Sequence, residues 1–395
     1  MVSGISSDAL FSALTQQSSQ MDTLAQSAIS TGIGYYQDGK YDVAVREFKR
    51  AVSLSPQSEN ALNAYDYLAM AFLKLGNNKE AIKAYQSALR LSPNQDDFHY
   101  KLGNILLEEG NTDQAIKSYK AALRIEPDST TYLYSLGQAY LAKGSLDDAK
   151  VQFEKIIRLA PREYGGYYGV GQTYYQTGEY EKAIDQFEKV IALKEDFFSV
   201  RVDLGYALTD LGRVDEAYEQ ANILRDKDPS LAVVLNNYIY QSSEPEFLVG
   251  YSETGFNTNL GPRTPLSALN SYLSSPNASQ EFTMKFIFNK DMDIASVENR
   301  FNWRISRATR DIKGGPYNWG MPIPSTEADI GLFPDRVNYD YQTNTAIVTF
   351  TLTQNESGNG TIDPSHIVFQ FLGKDSYGNA MNVSGDQYSG ISKIV

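Results

Sequence analysis

Prolines stand at Pro93, Pro127, Pro161 and Pro229 on a 34-residue grid. Glu195 occupies the one node without proline, and Pro56 lies 37 residues before Pro93. Four further columns keep this register. Small residues fall at Gly32, Ala69, Gly103, Gly137, Gly171 and Gly205, and alanines at Ala44, Ala81, Ala115, Ala149, Ala183 and Ala217. Between them come glycines at Gly39, Gly76, Gly110, Gly144, Gly178 and Gly212. An aromatic follows the alanine by four at Phe48, Tyr85, Tyr119, Phe153 and Phe187. A period of this length confines the chain to stacked copies of one small unit. Each copy is a helix, a glycine turn and a second helix. The small residues let the helices approach, the aromatic fills the gap to the neighbouring pair, and proline stops the second helix. A lone unit cannot bury its apolar face, so about three or more must stack.

The columns divide the chain into six units at 25–58, 62–95, 96–129, 130–163, 164–197 and 198–231. This pattern is similar to the tetratricopeptide-repeat family over slightly more than half of the chain. Unit one departs at Thr31, where the family prefers a large apolar residue, and unit six carries Ala221 in place of the aromatic. The resemblance implies an α-solenoid in which the first helix of each unit lines a groove, with its second, fifth, ninth and twelfth positions facing inward. Carried onto this sequence, it gives Tyr100, Tyr134 and Tyr168 at fifth positions and Asn104, Gln138 and Gln172 at ninth positions. Tyr175 and Tyr206 add further rings. Relatives that clamp carboxylate tails use lysine, asparagine and arginine; only Lys101 and Asn104 match that set. Tyrosines flanked by amides suit an extended, weakly charged polypeptide, because rings give contact area at low entropic cost while amides pair with a peptide backbone. Packing of the tyrosines on one another is the competing expectation.

Residues 1–24 form a separate amphipathic segment in this reading. The first basic residue is Lys40, and Leu10, Phe11, Leu14, Met21, Leu24 and Ala28 are spaced as one helical face. A basic n-region followed by an apolar stretch, as in secretory signals, is absent from it. The segment is expected either to cap the first repeat or to serve export or assembly. Its uncharged Ser/Gln-rich composition resembles the amino termini of proteins exported by flagellar-type machines.

The hydrophobic period changes after residue 242. Residues 232–241, with Val233, Val234, Leu235, Tyr238 and Ile239, are expected to close the solenoid as a helix and to dock on the next domain. Prolines then break the pattern through a junction at 243–279. Phe282, Met284, Phe286 and Phe288 alternate, as do Ala346, Val348, Phe350 and Leu352, which is the two-residue period of half-buried strands. Further strands are expected at 301–307, 336–341 and 366–372, giving an antiparallel β-sandwich over 280–395. The run FTMKFIFNKDMDIASV at 282–297 and DSYGNAM at 375–381 resemble bacterial immunoglobulin-like domains. Residues 308–335 read as an insertion that is either a contact surface, with Tyr317 and Trp319 as a stacking platform, or a loop folded back over the sandwich. Four N-x-S/T sequons, at Asn277, Asn355, Asn359 and Asn382, read as chance occurrences in a region rich in serine and asparagine, with surface-exposed glycans as the alternative.

Composition narrows the chemistry. The formal charge of −13 suits no phosphate backbone, so nucleic acid is not an expected partner. The chain has no cysteine and only two histidines, His99 and His366, in different domains. Neither a thiolate nor a multi-histidine metal centre can be built from them, and a nucleophile lacks its base. His99 is read as a packing residue and His366 as an exposed or edge residue opening a strand. Asp291, Asp293 and Glu298 match no calcium-loop spacing and read as a solvated turn. No run reaches the roughly 18 apolar residues of a membrane span. The expectation is therefore multidomain α plus β: a non-enzymatic scaffold without cofactor or metal. Its protein partners would be other copies of itself or an extended segment, assembled into homo-oligomeric filaments or sheaths at a bacterial surface. An intracellular adaptor for a client peptide and a surface carbohydrate binder are the alternatives.

Overall fold

The computed structural model describes residues 7–310, 314–390 and 393–394, with side chains over 15–310 and 314–390. The chain divides into two compact units, Met1–Leu211 and Gly212–Val395. In the first unit, α1 (Ser7–Gln37) and α2 (Tyr41–Leu54) form the first helical pair. The next pairs are α3 (Glu59–Lys74) with α4 (Asn78–Leu91), and α5 (Asp96–Glu108) with α6 (Thr112–Ile125). Then come α7 (Thr130–Lys143) with α8 (Leu146–Leu159), α9 (Tyr164–Gln176) with α10 (Tyr180–Leu193), and α11 (Ser199–Asp210).

The glycine and aromatic columns prove to be one contact. A Cβ on Gly103 would lie 2.6 Å from the Tyr119 ring, one on Gly137 2.5 Å from Phe153, and one on Gly171 2.6 Å from Phe187. Phe153 also fills the space to the next repeat, where a Cβ on Gly169 would come within 2.3 Å of it. Only a hydrogen in place of a side chain lets those helices close on a buried ring. The turn glycines between the paired helices sit at φ from 70° to 81°, the left-handed region where a side chain is strained.

Helix α1 runs unbroken through the stretch 1–24 into the first repeat, so that stretch is no separate element from Ser7 onward. Ala25, Ala28 and Ile29 are buried with Ala51 and Ala64, while Leu24 is 46% exposed. The side chains of Leu10, Phe11 and Leu14 lie outside the described residues.

The second unit begins with α12 (Val214–Lys227) and α13 (Pro229–Ser242). Pro229 ends one helix and opens the next, and the Asp228 carboxylate caps α13 by accepting from the Ser230 and Leu231 amides. Of the apolar residues expected to dock, Leu235 and Ile239 are buried, whereas Val233 and Val234 are exposed. Helical periodicity explains the difference, since 235 and 239 share a face that 233 does not.

The strands are β1 (Phe247–Ser252), β2 (Thr264–Pro265), β3 (Ser279–Phe288), β4 (Trp303–Arg307) and β5 (Arg336–Asp340). They continue as β6 (Thr345–Thr353), β7 (Thr361–Ile362), β8 (Ile367–Phe371), β9 (Gln387–Ser389) and β10 (Lys393–Ile394). Two antiparallel sheets form, in the orders β1-β3-β6-β5 and β10-β9-β8-β4, with β2 and β7 as a separate pair. Both sheets contribute to one core, in which Phe286 of β3 lies 5.4 Å from both Trp303 of β4 and Phe369 of β8. The stretch read as a junction thus contains a paired strand. Tyr251 of β1 opposes Lys285 of β3, and Phe256 and Leu266 are sealed in the core. Its prolines and short strands hid the two-residue period.

Two local expectations are corrected. His366 is almost fully buried in a 3₁₀ turn, Pro364–His366, rather than opening a strand, and its Nδ1 lies 2.7 Å from Asp363 Oδ2. Tyr317 is buried: its hydroxyl accepts from the Asp363 amide and donates to the Glu327 carboxylate, so it forms no stacking platform with Trp319. Trp319 itself is 68% exposed. The insertion folds back on the sheets, with the Ile305 amide of β4 donating to Leu332 O and the Ala328 amide to Thr361 O. The acidic turn is solvated as expected, with Asp291 and Glu298 exposed, and two of its carboxylates also bond the backbone. Asp293 caps α14 (Leu266–Leu269)'s successor, the short helix α15 (Ile294–Glu298), through the Ser296 amide, and Glu298 accepts from the Tyr339 amide.

Candidate peptide-binding groove

First helices expose one face along the repeat stack, and the expected residues gather there. Tyr100, Tyr134, Gln138, Tyr168, Gln172, Tyr175 and Tyr206 are half-buried and Asn104 is exposed. Two cavities open among them. One of about 330 Å³ is lined by Asn104, Tyr134 and Gln138, and one of about 100 Å³ by Gln172, Tyr175 and Tyr206.

Polar contacts tie these side chains across the repeat period. Gln138 Nε2 donates to Gln172 Oε1 at 2.9 Å, thirty-four positions on. The Tyr168 hydroxyl donates to Asp203 and the Tyr175 hydroxyl to Asp210, each at 2.7 Å and 35 positions on. Lys101 Nζ lies 3.0 Å from both oxygens of Asp66, again 35 positions away, and 2.8 Å from Asp97. The ring edges pack as well: Tyr134 on Phe153 at 5.7 Å, Tyr168 on Phe187 at 6.2 Å, and Tyr100 on Tyr132 at 5.0 Å. The tyrosines therefore bond and pack within the stack while keeping part of each ring at the surface. Lys101, engaged by two carboxylates, and Asn104, whose Oδ1 accepts the Tyr119 hydroxyl, do not make a carboxylate clamp.

The electrostatics of this face centre on carboxylates. Burial raises the Asp203 carboxyl above its ordinary value, although the hydrogen bond from Tyr168 works the other way. Burial also pushes up the Tyr134, Tyr168 and Tyr206 phenols, and the charge of Asp203 adds to the rise of all three. For Lys101, burial opposes the charged form, but the bonds to Asp97 and Asp66 outweigh it and hold the ammonium above its usual range. Asp203, Asp210 and Asp66 were missed from the sequence. A signal existed for Asp203: its column holds Lys101, Ser135 and Gly169 in the preceding repeats, and an acid appears only in the sixth.

Residues 67–130 and 100–164 match the family model described as "Tetratricopeptide repeat", a second model of that description matches 24–94, and "TPR repeat" matches 171–212. Residues 24–212 form a tetratricopeptide-repeat array. Among solved structures, a tetratricopeptide repeat protein from Parabacteroides merdae is 18% identical, covers 55% of this chain and 86% of its own, and superposes at a TM-score of 0.51. PilF of Pseudomonas aeruginosa is 20% identical over 55% of this chain and 99% of its own, at 0.44. MamA from Desulfovibrio magneticus is 21% identical over 45% and 98%, at 0.41. These likenesses concern the fold alone. No curated protein matches the chain.

Tetratricopeptide repeats are non-catalytic scaffolds that bind other proteins through their grooves, and residues 24–212 form such a scaffold. Among the described residues no three metal-ligating side chains converge, and no helix is long and apolar enough to cross a membrane.

Proposed function

We propose that the tetratricopeptide groove clasps an extended polypeptide along Tyr100, Asn104, Tyr134, Gln138, Tyr168, Gln172, Tyr175 and Tyr206, and that the segment belongs to another copy of this chain. One observation carries the reading: rings and amides from consecutive first helices share one face and open into two cavities along it. Partly exposed rings give contact area that is already ordered by packing, so little entropy is lost when a strand lies across them. The groove of one copy and a segment elsewhere on the next are non-identical surfaces, and such heterologous contacts repeat into open filaments or sheaths. A bacterial surface location rests on the resemblance of 282–297 and 375–381 to bacterial immunoglobulin-like domains.

The experiment is sedimentation velocity on the full chain beside the double substitution Tyr134→Ala/Tyr168→Ala. Concentration-dependent assembly, lost in the variant with helicity unchanged by circular dichroism, is the expected result. A monomer at every concentration would reject self-association.

The same groove favours an adaptor for a client peptide as the second reading. Recovery of the protein in the soluble interior after cell fractionation, with a co-purifying client released by the double substitution, would replace the first reading with this one.

A further inference from the structure

We propose that the cavity between the fifth and sixth repeats is a subsite for a lysine or arginine side chain of the bound polypeptide, with Asp203 as its counter-charge. This deepens the groove reading and rests on it.

Asp203 sits half-buried on α11, beside a cavity of about 100 Å³ whose walls include Tyr175, Tyr206, Phe187 and Gln172. That volume holds several water molecules, enough for an ammonium with its last methylenes or for a guanidinium. Asp203 accepts the Tyr168 hydroxyl, and among the described residues no lysine or arginine pairs with it. Burial without a cation leaves its carboxyl raised, and its charge reaches the phenols of Tyr134, Tyr168 and Tyr206, from three consecutive repeats.

The protein supplies its own comparison at the other end of the stack. Asp66, also on a first helix, receives Lys101 of the following repeat with both carboxylate oxygens at 3.0 Å. Where the fold offers a partner cation, it takes this bidentate arrangement. At Asp203 the residue 35 positions on in the sequence is Tyr238, which carries no cation, and the slot is walled by rings. Aromatic faces favour a cation, and a partly desolvated carboxylate without a counter-ion favours it more strongly. The same charge repels an anionic tail, which sets this groove apart from one that grips carboxylates.

The test uses the full chain and a phage-displayed library of randomised linear peptides. Bound peptides are expected to share lysine or arginine at one position of a common register. Replacing that residue by glutamine should weaken binding about tenfold or more. Asp203→Asn keeps an acceptor for Tyr168, and it should erase the preference while binding the glutamine peptide as well as the original chain does. Circular dichroism checks that the variant remains helical. Peptides held without a basic preference, or a preference that survives Asp203→Asn, would overturn the subsite and leave the groove reading standing. Peptides bound equally well by the Tyr134→Ala/Tyr168→Ala variant, or none bound at all, would overturn both.

Discussion

Lys290 Nζ lies 2.6 Å from Asp375 Oδ2, with both side chains almost sealed from solvent. The ammonium also donates to Ser243 O at the end of α13, and sits 5.3 Å from the ring centres of both Tyr240 and Tyr377. Asn379 donates to Gln241 O at 2.6 Å, and the Asp291 amide donates to the Tyr240 hydroxyl. Orphan carbonyls at a helix C-terminus attract positive charge and donors. The turn 375–379 and residues 290–291 beyond β3 thus bind the end of α13 to the sheets within the second unit.

Removing one member of this pair leaves the other buried and unpaired. Asp375→Ala or Lys290→Met should each cost about 3–5 kcal/mol, and the double substitution should cost less than the sum of the singles. Both tryptophans, Trp303 and Trp319, belong to the second unit, so the shift in the denaturant midpoint of tryptophan fluorescence measures the loss there.

Acid should act on the same contact. Burial alone would raise the Asp375 carboxyl, but hydrogen bonds from Lys290 and Asn379 outweigh it and hold it below its ordinary value. A carboxyl depressed on folding contributes stability that is present above its unfolded pKa of about 3.9 and is lost as pH falls through the lower folded value. The fluorescence midpoint should therefore decline below about pH 4, and Asp375→Asn should flatten that decline. An equal slope in the variant would assign the acid sensitivity elsewhere.

Two helical glycines should respond oppositely to alanine. At Gly169 a Cβ would meet the Phe153 ring at 2.3 Å, and overpacking of this kind costs about 1–3 kcal/mol. At Gly34 an added Cβ would meet nothing within 4 Å beyond its own helix backbone, and removing the entropy of glycine should stabilise the helix by about 0.5–1 kcal/mol. Thermal melting followed by helical circular dichroism reads both.

Trp319 and Tyr317 should separate surface from core in the insertion. Trp319→Ala should leave stability within about 0.5 kcal/mol while removing the long-wavelength part of the emission, because Trp303 is fully buried. Tyr317→Phe leaves the Asp363 amide without its acceptor and should cost about 1–3 kcal/mol by chemical denaturation.

Much of this architecture was legible in the order of residues. The five aromatics four places after the column alanines are all buried, and the strands expected near 282–288, 346–352 and 336–341 appear with small changes at their ends. Such features depend on neighbours a few positions away, where side-chain period maps directly onto a face. β1 was hidden because a short strand between prolines carries too few alternations to stand out. Tyr317 and Trp319 are two positions apart and meet opposite fates. Consecutive left-handed residues at Asn318 and Trp319, with φ of 51° and 52°, turn the ring of Trp319 outward, and no periodicity encodes such a reversal.

The repeat count, the helix–turn–helix unit and the change from helical to strand period were determined by the sequence itself, since each follows from spacing within a single unit. Only the tertiary structure decided which groove tyrosines spend their hydroxyls on neighbours. It alone brought Asp203 under Tyr168 and set Lys290 against Asp375. Those pairs join residues 35 and more positions apart, so their distances are set by the stacking of whole helices and the packing of sheets. Local pattern carries no record of such distances.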